Sequence, residues 1–193
     1  MTDSFPRPWD EAADSFDDEP DHGLRDPTVR AAWRELLISV LPPSPARVAD
    51  LGCGTGTLTR LLVDSGFAVD ALDFSPVMLE HARRKVPEAR FVLADASNPP
   101  LQPGRYDVIL SRHVLWALPD PPAAFAAWAE LLKPTGTALL IEGRWATGAG
   151  LTAGQAKEIV RTVRKKAETR LLSEAVYWGK EVSDERYILV SDA

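Results

Sequence analysis

The chain lacks several features that would each point to a particular class of protein. It has one cysteine, Cys53, so an intrachain disulfide is impossible, which is typical of a reducing compartment. No apolar run approaches the roughly 20 residues needed to span a bilayer, and the acidic start MTDSFPRPWDEAADSF has no apolar signal core. We therefore expect a cytoplasmic protein with no membrane partner.

Positive charge is also scarce. The 193 residues carry 22 Lys and Arg against 28 Asp and Glu, a formal net charge of -6. Residues 1–26 hold nine acidic and two basic side chains, so the remaining residues are about neutral. A surface that binds duplex nucleic acid needs concentrated positive charge. We expect no nucleic-acid partner, and we predict no metal site.

Strand-length apolar runs alternate with helical patterns along the chain, which indicates a parallel sheet covered by helices. A first helix is expected after Asp26, which can cap it, with Pro27 at its first position. The stretch 17–27 before it is predicted to be a loop, because Pro20, Gly23 and Pro27 interrupt it. The predicted strands are 46–51, 68–72, 90–94, 106–110, 137–142, 168–172 and 186–190. The predicted helices between and after them are 57–65, 76–86, 121–132 and 152–166. We expect a single domain, with an acidic segment and lid helices at 1–45 and a core at 46–193.

The stretch VADLGCGTGTLTR, residues 48–60, holds a glycine-rich turn between the first of these strands and a helix. Such a turn lets a ligand approach the backbone N–H groups at the start of the helix. A dinucleotide fingerprint, G-x-G-x-x-G, would need a third glycine at residue 57, which is Thr57. A P-loop would need Gly-Lys-Ser/Thr, and no lysine follows Gly56. The pattern present is D-x-G-x-G-x-G.

Of the two acidic residues near the loop, Asp50 helps to distinguish between the possible nucleotides, whereas Asp73 alone does not. Asp50, at the mouth of the loop, suits a cationic ligand and repels a pyrophosphate. S-adenosylmethionine (SAM) carries an ammonium and a sulfonium and has no phosphate. Asp73 lies about 20 residues past the glycines and can accept both ribose hydroxyls, as an acid does in dinucleotide folds. The loop therefore favours SAM as the cofactor over a nicotinamide dinucleotide.

Five stretches in order resemble the class I SAM-dependent methyltransferases, in the group called methyltransferase type 11. They are DLGCGTGTLTRLL, VDALDFSPVMLEHARRK, FVLADASNPP, YDVILSRHVLWALPDP and LLKPTGTALLIEG, and the likeness runs from about Val48 to Gly143, half the chain. One departure is Thr135, which stands where the family usually has a second glycine.

The resemblance implies a fold and a set of cofactor contacts. The fold would be an α/β Rossmann-like doubly wound sheet, mostly parallel, with a reversed final strand and the order 3-2-1-4-5-7-6. Asp73 would hold the ribose, Asp95 would meet the adenine amino group, and Asp50 with the glycines would wrap the methionine part. The residues implied to bind the cofactor are Asp50, Gly52, Cys53, Gly54, Gly56, Asp73, Phe74, Met78, Asp95, Ala96 and Ser111.

Methyl transfer requires alignment of nucleophile, methyl group and sulfur, and some nucleophiles also need a base. The candidate catalytic bases are His113, after the fourth strand, and His22, in the acidic segment, with a hydrogen-bonded or solvated imidazole as the alternative for each. The candidates for contacts to the acceptor are Arg25, Trp116, Arg144 and Trp145. Core packing or a surface position is the alternative for these side chains.

The acceptor is expected to be a small molecule, and a role in secondary metabolism is possible. We expect no appended RNA- or peptide-binding domain, and the N-terminal segment of about 45 residues is long enough to form a lid. The tetrapeptide after the fourth strand is Ser111-Arg112-His113-Val114 and differs from the Asn-Pro-Pro-Tyr type usual at adenine, cytosine or glutamine N-methylation sites. This difference argues against those acceptors. Methylation of a peptide side chain, or SAM binding without catalysis, are the alternatives. The chain is predicted to be a monomer or a homodimer.

Overall fold

A computed structural model describes residues 7–193 of the chain. The helices are α1 Arg7–Ala12, α2 Pro20–Gly23, α3 Pro27–Val40, α4 Thr57–Asp64, α5 Pro76–Lys85, α6 Pro121–Glu130, α7 Ala153–Arg161 and α8 Ala175–Trp178. The strands are β1 Arg47–Leu51, β2 Ala68–Asp73, β3 Arg90–Leu93, β4 Tyr106–Arg112, β5 Leu132–Arg144, β6 Glu168–Leu171 and β7 Glu185–Ser191. Short 3-10 helices span Phe16–Asp18 and Leu115–Ala117.

The strands form one sheet in the order β3-β2-β1-β4-β5-β7-β6. The strands from β3 to β5 pair in parallel, and β7 runs antiparallel between β5 and β6. The order reverses between β1 and β4, and ligands of such sheets bind at the carboxyl ends of strands beside this switch point. The predicted fold class is confirmed.

Apolar clusters cover both faces of the sheet. One cluster includes Trp33, Leu36 and Leu37 of α3 together with Val48 of β1. The other joins α6 and α7 to the opposite face, with Trp128 fully buried in it. Helix α3 begins as predicted, because the Asp26 carboxylate accepts the N–H groups of residues 28 and 29. The segment before β1 is therefore packed against the sheet through α3.

The prediction of a loop at 17–27 is wrong in part. Residues 16–18 form a 3-10 helix, and α2 begins at Pro20. The N–H groups in the first turn of a helix have no partner within the helix, so proline, which lacks an N–H, fits at the first position. Pro20 therefore begins this helix. The helix ends at Leu24, which adopts a left-handed conformation with φ 48°.

Two further boundaries differ from the prediction. Strand β5 begins at Leu132, which was predicted to end the preceding helix, instead of at residue 137. Leu132 pairs with Tyr106 and Thr137 with Val108, so the residues between Leu132 and Thr137 bulge out of the sheet. Helix α7 ends at Arg161 instead of Lys166. Beyond that end, Arg164 donates to the carbonyls of Gly136 and Ser191, which holds the chain against the last strand.

Candidate functional site

The glycine-rich turn follows β1 and leads into α4. Gly52, Gly54 and Gly56 all have positive φ, at 80°, 54° and 78°. A Cβ on Gly52 would lie 2.3 Å from a methyl carbon of Val114, and one on Gly56 would lie 3.0 Å from the Cβ of Ala82. The turn therefore fits between the segment after β4 and helix α5 only with glycine at these positions.

Two buried carboxylates flank this turn. Asp50 accepts the Thr59 hydroxyl at 2.6 Å, and burial, with a smaller effect of Asp73, raises its pKa to about 6 although the charge of Arg112 opposes the shift. Asp73 accepts the N–H groups of Gly54 and Ser75, each at 2.9 Å, and burial raises its pKa although these bonds lower it. Acidic oxygens at these places suit a cationic ligand.

A cavity of about 1100 Å³ opens above the turn. Its walls include most of the residues predicted to form the site. Those are His22, Asp50, Gly52, Cys53, Gly54, Asp73, Phe74, Met78, Asp95, Ala96, His113, Trp116 and Trp145. Sites for one drug-sized ligand typically measure about 300–1000 Å³, so this cavity has room for a donor and a second small molecule.

Four residues predicted to belong to the site do not line the cavity. Gly56 is the N-cap of α4, and Ser111 is buried within β4. Arg25 is exposed and pairs with Asp18 at 2.7 Å. The exposed Arg144 donates to the carbonyl of Gly150 at 3.1 Å.

The segment after β4 carries His113 into the cavity wall. His113 has φ 60°, a conformation that few residues other than glycine, asparagine and aspartate adopt. Its N–H donates to the Ile141 carbonyl, and the next two N–H groups donate to Oε1 of Glu142 at 3.1 and 2.9 Å. Residues 141 and 142 of β5 thus accept three successive N–H groups and hold the turn that follows β4.

Glu142 and two arginines at the site were missed by the sequence reasoning. Glu142 has no exposed surface, and burial raises its pKa to about 8 against the effect of the N–H groups that it accepts. Arg112 donates to the Asp21 carbonyl at 2.6 Å, and Arg186 is held by Asp184 at 2.7 Å. The only sequence signal for Glu142 and Arg112 is a charged residue at the end of an apolar run.

The imidazole of His113 is neutral in this environment. Burial, and then the charges of Arg112, His22 and Arg186, hold its pKa well below the usual range. Burial and Arg112 also lower the pKa of His22, although Asp21 and Glu19 oppose the shift. Both histidines therefore present neutral rings to the cavity near pH 7.

The acidic N-terminal segment forms one side of the cavity. Asp17 accepts the Lys85 ammonium at 2.6 Å and the Thr55 hydroxyl of the glycine-rich turn. Asp10 accepts the hydroxyl of Ser75, the residue that caps α5. These bonds place Trp9, Phe16 and His22 at the cavity.

Buried polar atoms without a protein partner cluster here. Among the described residues, six buried side-chain nitrogen or oxygen atoms make no hydrogen bond. Three belong to residues that line the cavity, namely His22, Ser97 and His113. Two more belong to Ser111 and Glu142, beside the turn that follows β4. Such atoms are rare in folded proteins, so their concentration indicates a site completed by ligand or water.

The comparisons with known proteins agree with this geometry. The methyltransferase domain family model matches residues 49–140. A demethylmenaquinone methyltransferase of Renibacterium salmoninarum is 31% identical over 139 residues, 69% of this chain and 59% of that protein. A trans-aconitate 2-methyltransferase of Methylobacterium nodulans is 41% identical over 106 residues, 53% of this chain and 40% of that protein. The chain spans about half the length of the curated relatives it matches.

Solved structures share the fold. A TehB-like SAM-dependent methyltransferase from Corynebacterium glutamicum has a TM-score of 0.73 at 23% identity, over 97% of this chain and 98% of that one. A geranyl diphosphate C-methyltransferase from Streptomyces coelicolor has a TM-score of 0.69 at 14% identity, over 84% of this chain and 78% of that one. At such identities the likeness shows the fold alone.

The strand order, the glycine-rich turn and the acid at the end of β2 define a doubly wound fold of the kind that binds SAM. With the family match over residues 49–140, the chain belongs to the class I SAM-dependent methyltransferase family. The predictions of family and cofactor are confirmed. In the part of the chain that the structure describes, no helix has the length and apolar character needed to cross a membrane.

Proposed function

We propose that this chain transfers a methyl group from SAM to a small-molecule acceptor. The main support for the proposal is that the positive-φ glycine-rich turn and two buried carboxylates lie at a cavity that is large enough for two ligands. When bound, SAM supplies a methyl group on a positively charged sulfur. A role in secondary metabolism stays a prediction.

The residues present fit this cofactor by their chemistry. Asp50 and Asp73 offer buried negative charge for its cationic amino-acid part and acceptor oxygens for its ribose. In our proposal, Phe74 and Met78 flank the adenosine, and Asp95 with Ala96 meets the adenine. All of these residues line the cavity. The protein positions the reactants and excludes water, which is most of what an in-line displacement requires.

A small acceptor is favoured over a peptide by the way the N-terminal segment covers the cavity. Trp9, Phe16 and Glu19 line it from one side, and Trp116 and Trp145 line it from the segments after β4 and β5. We propose that residues 1–45 act as a lid joined to the core, so that the chain is a single domain. Residues 1–6 of that segment lie outside the described part.

The test is calorimetric titration of the protein with SAM, with its demethylated product S-adenosylhomocysteine, and with NAD. We expect SAM and the product to bind and NAD not to bind. Asp73→Asn keeps the side-chain shape but removes the charge and one acceptor, so it should weaken SAM binding about 10- to 100-fold, as expected for a hydrogen bond to a charged group. Asp64→Asn changes an exposed acid at the far end of α4 and should bind SAM normally.

Binding of NAD in place of SAM would overturn the proposal. Tight SAM binding without transfer to any small acceptor would instead favour a SAM-binding protein that has no catalytic activity.

A further inference from the structure

Five neighbouring rings form an aromatic wall in the lining of the cavity. Phe16 and His22 come from the N-terminal segment, His113 and Trp116 from the segment after β4, and Trp145 from the end of β5. Successive ring centroids are 4.3 Å apart for Phe16 and His22, 6.4 Å for His22 and His113, 5.1 Å for His113 and Trp145, and 5.3 Å for Trp145 and Trp116. All five residues line the cavity. This aromatic wall suits a flat ring, which can stack on it or meet it edge to face.

One acceptor of hydrogen bonds stands in the middle of the aromatic wall. Nε2 of His113 is buried and has no hydrogen-bond partner among the described residues. The three N–H bonds to residues 141 and 142 fix the backbone that carries it. A neutral imidazole carries its hydrogen on one nitrogen and accepts with the other. With the hydrogen on Nδ1, Nε2 is the acceptor, and a ligand with an O–H group would satisfy it.

The surrounding charges disfavour a cationic acceptor. Arg112 and Arg186 lie close enough to lower the pKa of His113, so a further positive charge is unfavourable there. The nearby carboxylates already face cations: Asp21 lies 3.9 Å from Arg186, and Glu19 lies 3.2 Å from Lys180. A carboxylate acceptor would have no proton to donate to Nε2. A neutral hydroxyl fits both conditions.

We infer that the acceptor is a planar aromatic compound with a hydroxyl group, and that it is methylated at that oxygen while Nε2 of His113 takes the hydroxyl proton. This inference rests on the proposed methyl transfer. It adds the class of the acceptor, the atom that receives the methyl group and the residue that removes the proton.

The step balances with the groups named. The hydroxyl oxygen forms a bond to the methyl carbon, the bond from that carbon to sulfur breaks, and its electron pair stays on sulfur. As the new bond forms, the O–H becomes strongly acidic, so a weakly basic imidazole suffices to take the proton. The imidazolium then releases the proton to water, which its low pKa favours.

Three probes with one ring system separate the acceptor classes. The probes are 2-naphthol, 2-naphthylmethylamine, which carries an ammonium at pH 7, and 2-naphthoate. Each is titrated into the protein saturated with S-adenosylhomocysteine. We expect 2-naphthol to bind at least tenfold more tightly than the other two. Equal or tighter binding of either charged probe overturns the inference, and so does binding of none of the three to the loaded protein.

Turnover with SAM identifies the methylated atom. We expect the methyl ether of 2-naphthol by mass spectrometry and NMR, and a ring-methylated product would overturn the assignment to oxygen. His113→Asn preserves the positive φ, which asparagine tolerates, and its amide oxygen still accepts a hydrogen bond but is not a base. The variant should therefore lower kcat on the order of 100-fold while KM for the naphthol changes less.

Two controls keep the outcomes separate. His81→Asn removes an imidazole that lies on α5 and contacts the exposed Asp14, and it should leave kcat unchanged. The dissociation constant of S-adenosylhomocysteine should be the same in wild type and His113→Asn. Unchanged kcat in His113→Asn would overturn the role of Nε2. Failure of the wild type to bind SAM would count against the proposed function itself.

Discussion

Glu142 is a carboxylic acid of β5 with no exposed surface. Its Oε1 accepts two backbone N–H groups, while its Oε2 has no partner among the described residues. Without a cation beside it, the neutral acid is the favoured form in the folded protein, which is why the pKa rises to about 8. Protonation of Glu142 is thus linked to the hydrogen bonds that hold the turn carrying His113.

This coupling predicts how stability depends on pH. The folded pKa of Glu142 is about 8 and its ordinary value is 4.5, so the folded state binds one proton more than the unfolded state between these values. The contribution to stability is complete below pH 4.5 and is lost as the pH rises through 8. Urea unfolding at pH 5 and pH 8.5 should show a larger loss of stability in wild type than in Glu142→Gln.

Glutamine is the matched replacement because its carbonyl oxygen can still accept both N–H groups. The loss in wild type also includes groups such as Asp50, so only the difference between the two proteins reports on Glu142. Equal losses in both would show that Glu142 does not titrate in this range.

At the scale of the elements, the N-terminal helices are held to the cofactor side of the core by polar contacts along α5 and the glycine-rich turn. Asp17 is the most connected of these, since Lys85 and Thr55 both donate to it. Burial alone would raise the pKa of Asp17, but the bonds from Lys85 and Thr55 outweigh it, and the pKa is lowered. By contrast, Asp14 contacts His81 with most of its side chain exposed.

Asp17→Asn should therefore loosen the lid. The variant loses the charge that holds Lys85, so cleavage within residues 7–26 by a protease at low concentration should become several times faster. The dissociation constant of S-adenosylhomocysteine should also rise. Asp14→Asn breaks only an exposed pair and should be cleaved at the wild-type rate, because such pairs contribute about 0–1 kcal/mol. Equal cleavage of both variants would mean that Asp17 does not hold the lid.

At the scale of the whole molecule, Trp33 joins distant parts of the chain. Its ring lies 5.5 Å from that of Trp178 in α8, and its indole N–H donates to the Tyr177 carbonyl at 2.6 Å. The guanidinium of Arg112 at the cavity lies 5.4 Å from the Trp33 ring. The N-terminal helix α3, the C-terminal region and the site wall therefore share one packed cluster.

We expect Trp33→Ala to lower the free energy of unfolding by about 3–5 kcal/mol, the range typical of buried tryptophan or phenylalanine. Unfolding should remain a single transition by both circular dichroism and tryptophan fluorescence. Ile38→Ala on the same helix removes a side chain that is 48% exposed, and it should change stability by less than about 0.5 kcal/mol. Two separate transitions would show that α3 unfolds independently of the sheet.

Local patterns were sufficient to predict the sheet and the cofactor. The apolar runs of parallel strands, the glycines with positive φ and the acids at the ends of β1 and β2 each depend on residues close in sequence. The boundaries failed where a long-range contact decided them, as at β5, whose bulge depends on pairing with β4.

The sequence by itself determined the fold class, the family and the cofactor, because residue type and spacing alone carry those signals. Only the tertiary structure decided which side chains meet across elements. It left Arg25 exposed and paired with Asp18, and it placed Glu142 of β5 against the turn after β4. Such contacts arise from packing between residues far apart in the chain, and no local pattern specifies them.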